Sequence, residues 1–262
     1  FQAEDGIRDR SPSRGLGDVY KRQSRHRSTK SGPRYIFPEE QDQVMKIFLD
    51  TSDLKEIRRA TDAGLIDGIT TNPSLVAKVA GDRDPKEIYL EICETVNGPV
   101  SLEVVGVDRD TMVTEGRKLA AIHENAVVKV PLTEDGLKAC RQLVSDGMRV
   151  NVTLCFSVSQ ALLAAKAGAT YVSPFVGRID DISGEGMQLI HQIRQIYDNF
   201  GYTTEILAAS IRHPVHVAES MMLGADCCTI PPKVLWQLSR HPLTDQGLEA
   251  FLKDWETLGA NL

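Results

Sequence analysis

A lysine stands in the middle of the apolar run 125-NAVVKVPLT-133. An ammonium in such a run must be paired, reach water along its own stem, or give up its proton, because an isolated charge is costly to bury. The last outcome leaves Lys129 an amine able to attack a carbonyl. Addition to a ketone gives a carbinolamine, loss of water gives an iminium ion, and that cation takes up the electron pair when the neighbouring carbon–carbon bond breaks. Cleavage of this kind needs a base for the β-hydroxyl proton, and Asp50, in 46-KIFLDT, is the candidate. Dehydration needs a positioned water, which Glu103 and Thr153 could hold between a carboxylate and a hydroxyl. An anionic tail on the substrate needs a guanidinium and hydrogen-bond donors, which Arg178, Ser210 and Arg212 offer. No run of His and carboxylates has metal-ligand spacing, which favours this Schiff-base route over a metal-dependent one and calls for no metal or organic cofactor.

Residues so far apart in the chain need a frame that gathers them. From Met45 onward, β-rich runs occur at 46-KIFLDT, 68-GITT, 100-VSLEVVG, 126-AVVKVP, 149-RVNVTLC, 170-TYVSPFVG, 204-TEILAAS and 227-CCTIP, with helix-like stretches between them. Eight strands, each followed by a helix, match a closed (β/α)8 barrel, an α/β TIM barrel, and 245-DQGLEAFLKDWETLG adds a C-terminal amphipathic helix. Its stripe of Leu248, Phe251, Leu252, Trp255 and Leu258 either caps the barrel or docks on a neighbouring subunit. Gly64, Gly147, Gly168, Gly201 and Gly224 fall where helices should end. An open doubly wound sheet is the competing frame, but no G-x-G-x-x-G follows the first strand. In a barrel, the C-terminal ends of the strands converge on one site. Those ends carry Asp50-Thr51, Thr70-Thr71-Asn72, Glu103, Lys129, Asn151, Thr153, Ser173, Phe175, Arg178, Ser210 and Arg212. Singly, several have structural explanations: Asp50 or Asn72 as a helix N-cap, Thr153 as a β-former, Glu103 as the ion-pair partner of a lysine.

The chain of 262 residues has a net charge of −6, which argues against nucleic acid or an anionic membrane as the main partner. No apolar run is long enough for a membrane span and no signal-peptide core is evident, so a cytoplasmic protein is expected. Residues 1–44 are rich in Arg and Ser, lack a sustained apolar period and read as a disordered leader, with nine basic and seven acidic residues. Residues 1–23 resemble the conceptual translation of a sequencing adapter, which would make Met45 the start and 45–262 a single barrel domain. The five cysteines, Cys93, Cys140, Cys155, Cys227 and Cys228, form no C-x-x-C pair and read as reduced, buried thiols. His213 and His216 could share a helical face, but without a third ligand they read as helix-start and packing residues. Asp180-Asp181 could tune Arg178 or merely solvate a loop.

The strings 48-FLDTSDLKEI, 69-ITTNPSLV, 127-VVKVPLTEDGL, 174-PFVGRIDD and 208-AASIR, in this order, resemble the transaldolase family in its small, compact branch, which includes fructose-6-phosphate aldolases. The resemblance covers 45–262. It implies that Lys129 forms the Schiff base, Asp50 is the acid/base, Asn72 contacts substrate hydroxyls, and Arg178, Ser210 and Arg212 bind phosphate. Aldolases of this group have Gln where this chain has Glu103 and Tyr where it has Phe175, and Ser173 and Arg212 also match the transferase pattern. The resemblance therefore implies transfer of a dihydroxyacetone unit from sedoheptulose 7-phosphate or fructose 6-phosphate to glyceraldehyde 3-phosphate or erythrose 4-phosphate, in the pentose phosphate pathway. Cleavage releasing free dihydroxyacetone and a non-catalytic sugar-phosphate-binding barrel are the alternatives. A homo-oligomer built on pentamers, up to a decamer, is implied by the family alone.

Overall fold

Alternation of side chains along eight short strands sorts this protein into an inside and an outside. The computed structural model describes residues 44–258, so the leader expectation lies, except for Val44, outside the described residues. The strands are β1 (Lys46–Asp50), β2 (Gly68–Thr70), β3 (Val100–Glu103), β4 (Ala126–Pro131), β5 (Val150–Cys155), β6 (Tyr171–Pro174), β7 (Glu205–Ala208) and β8 (Cys227–Ile230). All neighbours pair in parallel in sequence order, and β8 returns to β1 through Ile47↔Cys228 and Phe48↔Thr229, closing the barrel. This is the (β/α)8 architecture expected from the sequence.

Helices follow every strand: α1 (Leu54–Asp62), α2 (Pro73–Ala80), α3 (Pro85–Thr95), α4 (Arg109–Ala120), α5 (Glu134–Ser145), α6 (Val158–Ala167), α7 (Val176–Asp180), α8 (Gly186–Phe200), α9 (Pro214–Met222), α10 (Pro232–Gln237) and α11 (Pro242–Leu258). Short polar side chains start many of them: Asp53, Asn72, Asp84, Asp108, Thr133 and Ser157 each accept a backbone N–H of the first turn. The five glycines expected at helix ends all have positive φ, and at Gly168 (88°) and Gly201 (64°) the left-handed cap turns the chain directly towards the next strand.

Outward strand residues such as Leu49, Ile69, Leu102, Val128, Val152 and Cys228 join the helices in one continuous core, while Phe48, Val127, Tyr171, Leu207 and Cys227 form a separate cluster inside the barrel. Adjacent Cys227 and Cys228 thus face opposite ways, as strand geometry demands. The sequence pattern needs correction in three places. Two helices, not one, separate β2 from β3; β6 ends at Pro174, with α7 taking up Val176–Asp180 from the expected strand; and α11 begins at Pro242, three residues before the expected segment. The stripe of α11 is not covered by the barrel, for Leu248, Phe251, Leu252, Trp255 and Leu258 are between 41% and 72% exposed.

Candidate active site

The interior cluster forms the floor of the site. Two residues beyond Phe48, Val127, Tyr171, Leu207 and Cys227 stand Asp50, Lys129, Ser173, Ala209 and Thr229, and all five line a cavity of about 210 Å3 at the C-terminal end of the barrel. The period of two therefore stacks a polar layer directly on an apolar one. Thr70, Asn72, Thr153, Phe175, Arg178, Ser210 and Arg212 complete the lining, so every residue proposed from the sequence converges here except Glu103, which joins through Lys129. Two larger hollows, about 510 and 550 Å3, lie on the outer helices beside Arg141 and beside His191; neither gathers the strand-end residues.

Lys129 is 6% exposed. Its Nζ donates to the Thr71 carbonyl at 3.0 Å and lies 3.0 Å from Glu103 Oε2, across the register pair Glu103↔Lys129. Of the three outcomes open to this lysine, pairing is observed, with its remaining exposure towards the cavity it lines, and this gives Glu103 the ion-pair role that its position suggested. Asp50 Oδ1 accepts the Thr70 hydroxyl at 2.8 Å, and Thr70 and Thr229 hydroxyls lie 2.6 Å apart. Burial holds the Asp50 carboxyl above its ordinary range, partly offset by the positive charge of Lys129 and the Thr70 hydrogen bond. Raised affinity for a proton is what a group that takes and returns one requires.

Thr153 is placed by an irregularity in its strand. The β5–β6 register slips between Val152 and Cys155, and Leu154 adopts a φ of 61° to absorb the extra residue. The Thr153 side chain is fully buried and its hydroxyl has no partner among the described residues, so a bound water or substrate atom in the cavity would satisfy it. Beside it, Ser173 Oγ donates to Asn151 Oδ1 at 2.7 Å and Asn151 Nδ2 donates to Ser101 Oγ at 3.1 Å. Sequence reasoning gives no role to Ser101 or Thr229; each was findable only by counting two residues along its strand from a neighbour already placed.

Two arginines, Arg178 and Arg212, line the same cavity. Phe175 bridges to Ala209, which brings α7 against the end of β7. Gly177 makes that approach possible, because a Cβ there would lie 2.1 Å from the Ser210 carbonyl oxygen and 2.8 Å from Arg212 Cγ. Ser210 itself is held at a φ of 60°. The Arg178 guanidinium lies 4.9 Å from the centre of the Phe175 ring, which meets Phe156 edge-on at 5.7 Å. Asp181 bonds Arg212 at 2.7 Å and Asp180 bonds His216, so of the two readings left open by the sequence both aspartates do more than solvate a loop, and their bonds go to Arg212 and His216 rather than to Arg178. Asn72 both lines the cavity and caps α2, its Oδ1 accepting the Leu75 N–H at 2.9 Å.

His213 starts α9 and accepts the His216 N–H, as its position implied. Among the described residues no group of three or more His, Cys, Asp or Glu is arranged to hold a metal ion. All five thiols are buried, and burial pushes Cys93 to about 11 and Cys140, Cys155 and Cys228 to about 12. No helix among the described residues is long and apolar enough to cross a membrane.

Comparison with known proteins agrees with this geometry. A probable transaldolase of Dinoroseobacter shibae is 58% identical over 218 residues, covering 83% of this chain and 100% of the relative. Probable transaldolases of Aquifex aeolicus and Geobacter metallireducens are 59% and 58% identical over 212 residues, spanning 81% of this chain and 97% and 98% of theirs. Among solved structures, thiamine phosphate pyrophosphorylase from Pyrococcus furiosus aligns with a TM-score of 0.51 at 14% identity, covering 74% of this chain and 93% of its own, a likeness of fold alone. Residues 47–262 match the family described as Transaldolase/Fructose-6-phosphate aldolase, and the chain belongs to that family.

Proposed function

We propose that this protein is a class I transaldolase that moves a dihydroxyacetone unit from sedoheptulose 7-phosphate or fructose 6-phosphate to an aldose phosphate, glyceraldehyde 3-phosphate or erythrose 4-phosphate, in the cytoplasmic pentose phosphate pathway. The observation that carries the reading is a buried lysine, fixed by Glu103 and the Thr71 carbonyl, that faces the same cavity as a carboxyl of raised proton affinity and an unpartnered hydroxyl. Lys129 gives a proton to Glu103 and adds to the ketose carbonyl; Glu103 and Thr153 hold the water exchanged in forming the iminium, Glu103 returning that proton to the departing hydroxyl; Asp50 takes the β-hydroxyl proton as the carbon–carbon bond breaks and returns it when the enamine attacks the acceptor. Asn72 and Ser173 bind hydroxyls, while Arg178, Ser210 and Arg212 hold the phosphate. No metal or organic cofactor enters these steps.

Phe175 favours transfer over release. A phenol at this position would add a second proton donor beside the enamine, whereas a phenyl ring adds none to the protonated Asp50. The decisive experiment measures glyceraldehyde 3-phosphate formation from fructose 6-phosphate with and without erythrose 4-phosphate, together with borohydride trapping of the ketose on Lys129. Acceptor-dependent turnover and a trapped adduct support the proposal; equal release without acceptor makes the protein an aldolase, and binding without an adduct makes it a sugar-phosphate-binding barrel. The open stripe of α11 offers a surface on which a neighbouring subunit could lie, and the family resemblance alone gives a homo-oligomer of pentamer-based rings, up to a decamer. Light scattering should find a multiple of five chains for the parent and smaller species for Phe251→Glu; a monomeric parent would remove the ring.

A further inference from the structure

One buried side chain joins the two segments that supply the arginines of the anion end. His216, on α9, is 5% exposed and is not part of the cavity lining. Its Nδ1 accepts the backbone N–H of Arg212 at 3.3 Å, and its Nε2 lies 2.9 Å from Asp180 Oδ2. An acceptor at Nδ1 and a hydrogen at Nε2 define a neutral imidazole of one tautomer. Asp180 is the last residue of α7, the helix that carries Arg178, and its second oxygen accepts the Gly186 N–H at 2.8 Å at the start of α8. Asp181 adds a direct bond to the Arg212 guanidinium at 2.7 Å. Gly177 and Gly186 allow the same elements to touch through backbone, since a Cβ on Gly186 would lie 2.4 Å from the Val176 carbonyl oxygen.

We propose that His216 is a positioning residue for recognition of the substrate's phosphate: through the Arg212 backbone and through Asp180 it ties together the two segments that carry Arg212 and Arg178. The assignment rests on the reading of Arg178, Ser210 and Arg212 as the phosphate end. An arginine on an untied segment loses backbone and rotamer freedom each time it closes on an anion, whereas a tied one has already lost it in folding. The tie needs the neutral imidazole, because a hydrogen on Nδ1 would confront the Arg212 N–H. Burial and the His213 ring, 3.8 Å away, hold the imidazole below its usual range against the opposing carboxylates of Asp180 and Glu219, and Glu185 and His191 line the outer hollow beside it.

Two substitutions separate tie from bulk. His216→Asn keeps an acceptor near the Nδ1 position, whereas His216→Gln reaches Asp180 but leaves the Arg212 N–H without its acceptor. Losing that one hydrogen bond should raise KM for fructose 6-phosphate about tenfold in His216→Gln with kcat changed less than about twofold. Turnover of unphosphorylated fructose should be unchanged, and His216→Asn, which keeps the Arg212 acceptor but loses the Asp180 contact, should raise KM less than His216→Gln. An unchanged ratio of the two substrates in His216→Gln, or kcat falling equally on both, overturns the proposal. Arg212→Ala, measured alongside, distinguishes the failures: if it too leaves the ratio unchanged, the phosphate end is misassigned, and if it alone abolishes the preference, only the role of His216 falls. Should His216→Gln fail to fold, Asp180→Ala gives the answer: it frees His216 Nε2 and should likewise raise KM for fructose 6-phosphate about tenfold, with turnover of unphosphorylated fructose unchanged. An unchanged ratio of the two substrates in Asp180→Ala refutes the tie.

Discussion

Removing the Lys129 ammonium should cost stability as well as turnover, by an amount the geometry sets. Nζ and Glu103 Oε2 are 3.0 Å apart, with side chains 7% and 17% exposed. At that distance the attraction is about 5–6 kcal/mol for an effective dielectric of 20. Desolvating the two ions takes back several kcal/mol each, so the pair as a whole contributes far less than its attraction. The penalty falls instead on whichever partner is left alone. Lys129→Met fills the volume but deprives both Glu103 and the Thr71 carbonyl, and should cost about 3 kcal/mol, the low end for a buried pair because Glu103 retains some access to water. Glu103→Gln leaves the ammonium beside a neutral amide and should cost about 2 kcal/mol. The double variant should cost less than their sum, with a coupling energy of about 2 kcal/mol. Urea unfolding of the four proteins at one fixed protein concentration reads these values, since an oligomer's stability depends on concentration. Coupling below about 0.5 kcal/mol would show that the ions do not face each other in solution. In parallel, Lys129→Met should lose at least about 1000-fold in kcat and all borohydride-trappable adduct; activity within tenfold of the parent would refute the covalent route.

Three further substitutions probe the rest of the cavity. Asp50 has its carboxyl held above the ordinary range, so ionisation costs the folded state nothing below about pH 4 and its full amount once the folded-state pKa is passed. Asp50→Asn should therefore lose turnover yet gain stability relative to the parent as pH rises towards neutrality, and a gain that shrinks instead would contradict the assigned shift. Thr153→Val removes a buried hydroxyl with no protein partner, so thermal unfolding should show no loss and up to about 1 kcal/mol of gain, while kcat drops at least about tenfold; a destabilised or fully active variant would mean that the hydroxyl is satisfied elsewhere. Gly177→Ala drives a Cβ to 2.1 Å from the Ser210 carbonyl oxygen, which should cost about 1–3 kcal/mol and raise KM for phosphorylated substrates; unaltered KM and stability would show that α7 moves aside freely.

How much of this could be read from the chain depended on how local each signal is. The strand–helix alternation and the glycine stops are local, and they gave the barrel. Lys129, Asp50 and Thr153 were legible because polar residues interrupt apolar runs, and the barrel rule assigns such interruptions at strand ends to one site. The segment Phe175-Val176-Gly177 reads as strand by its β-branched and aromatic residues, but the close approach of Gly177 to Ser210 bends it into α7 instead, a long-range contact without a local signature. Asp180 and Asp181 find partners on α9 and in the β7–α9 connection for the same reason. Thr229 was hidden among the apolar residues of 227-CCTIP, where its position above Cys227 becomes visible only once the register of β8 with β1 is known.

The two interior layers divide the work of the strands between them. Below, Phe48, Val127, Tyr171, Leu207 and Cys227 fill the barrel as an apolar plug that contributes stability without chemistry. Above, the strand ends and the loops that follow them carry features that each cost something: the raised carboxyl of Asp50, the hydroxyl of Thr153 without a partner among the described residues, and the left-handed backbones of Leu154 and Ser210. Such costs gathered on one face, two residues above a well-filled core, mark a layer shaped by what it binds, because packing alone would have placed valine or leucine there. On the proposed reading, substrate atoms that hydrogen-bond Thr153 and counter-charges that engage Arg178 and Arg212 would remove part of the cost on binding. The parent protein should therefore be stabilised by ligand more strongly than variants whose upper layer has been made apolar, and the difference should be largest at Thr153.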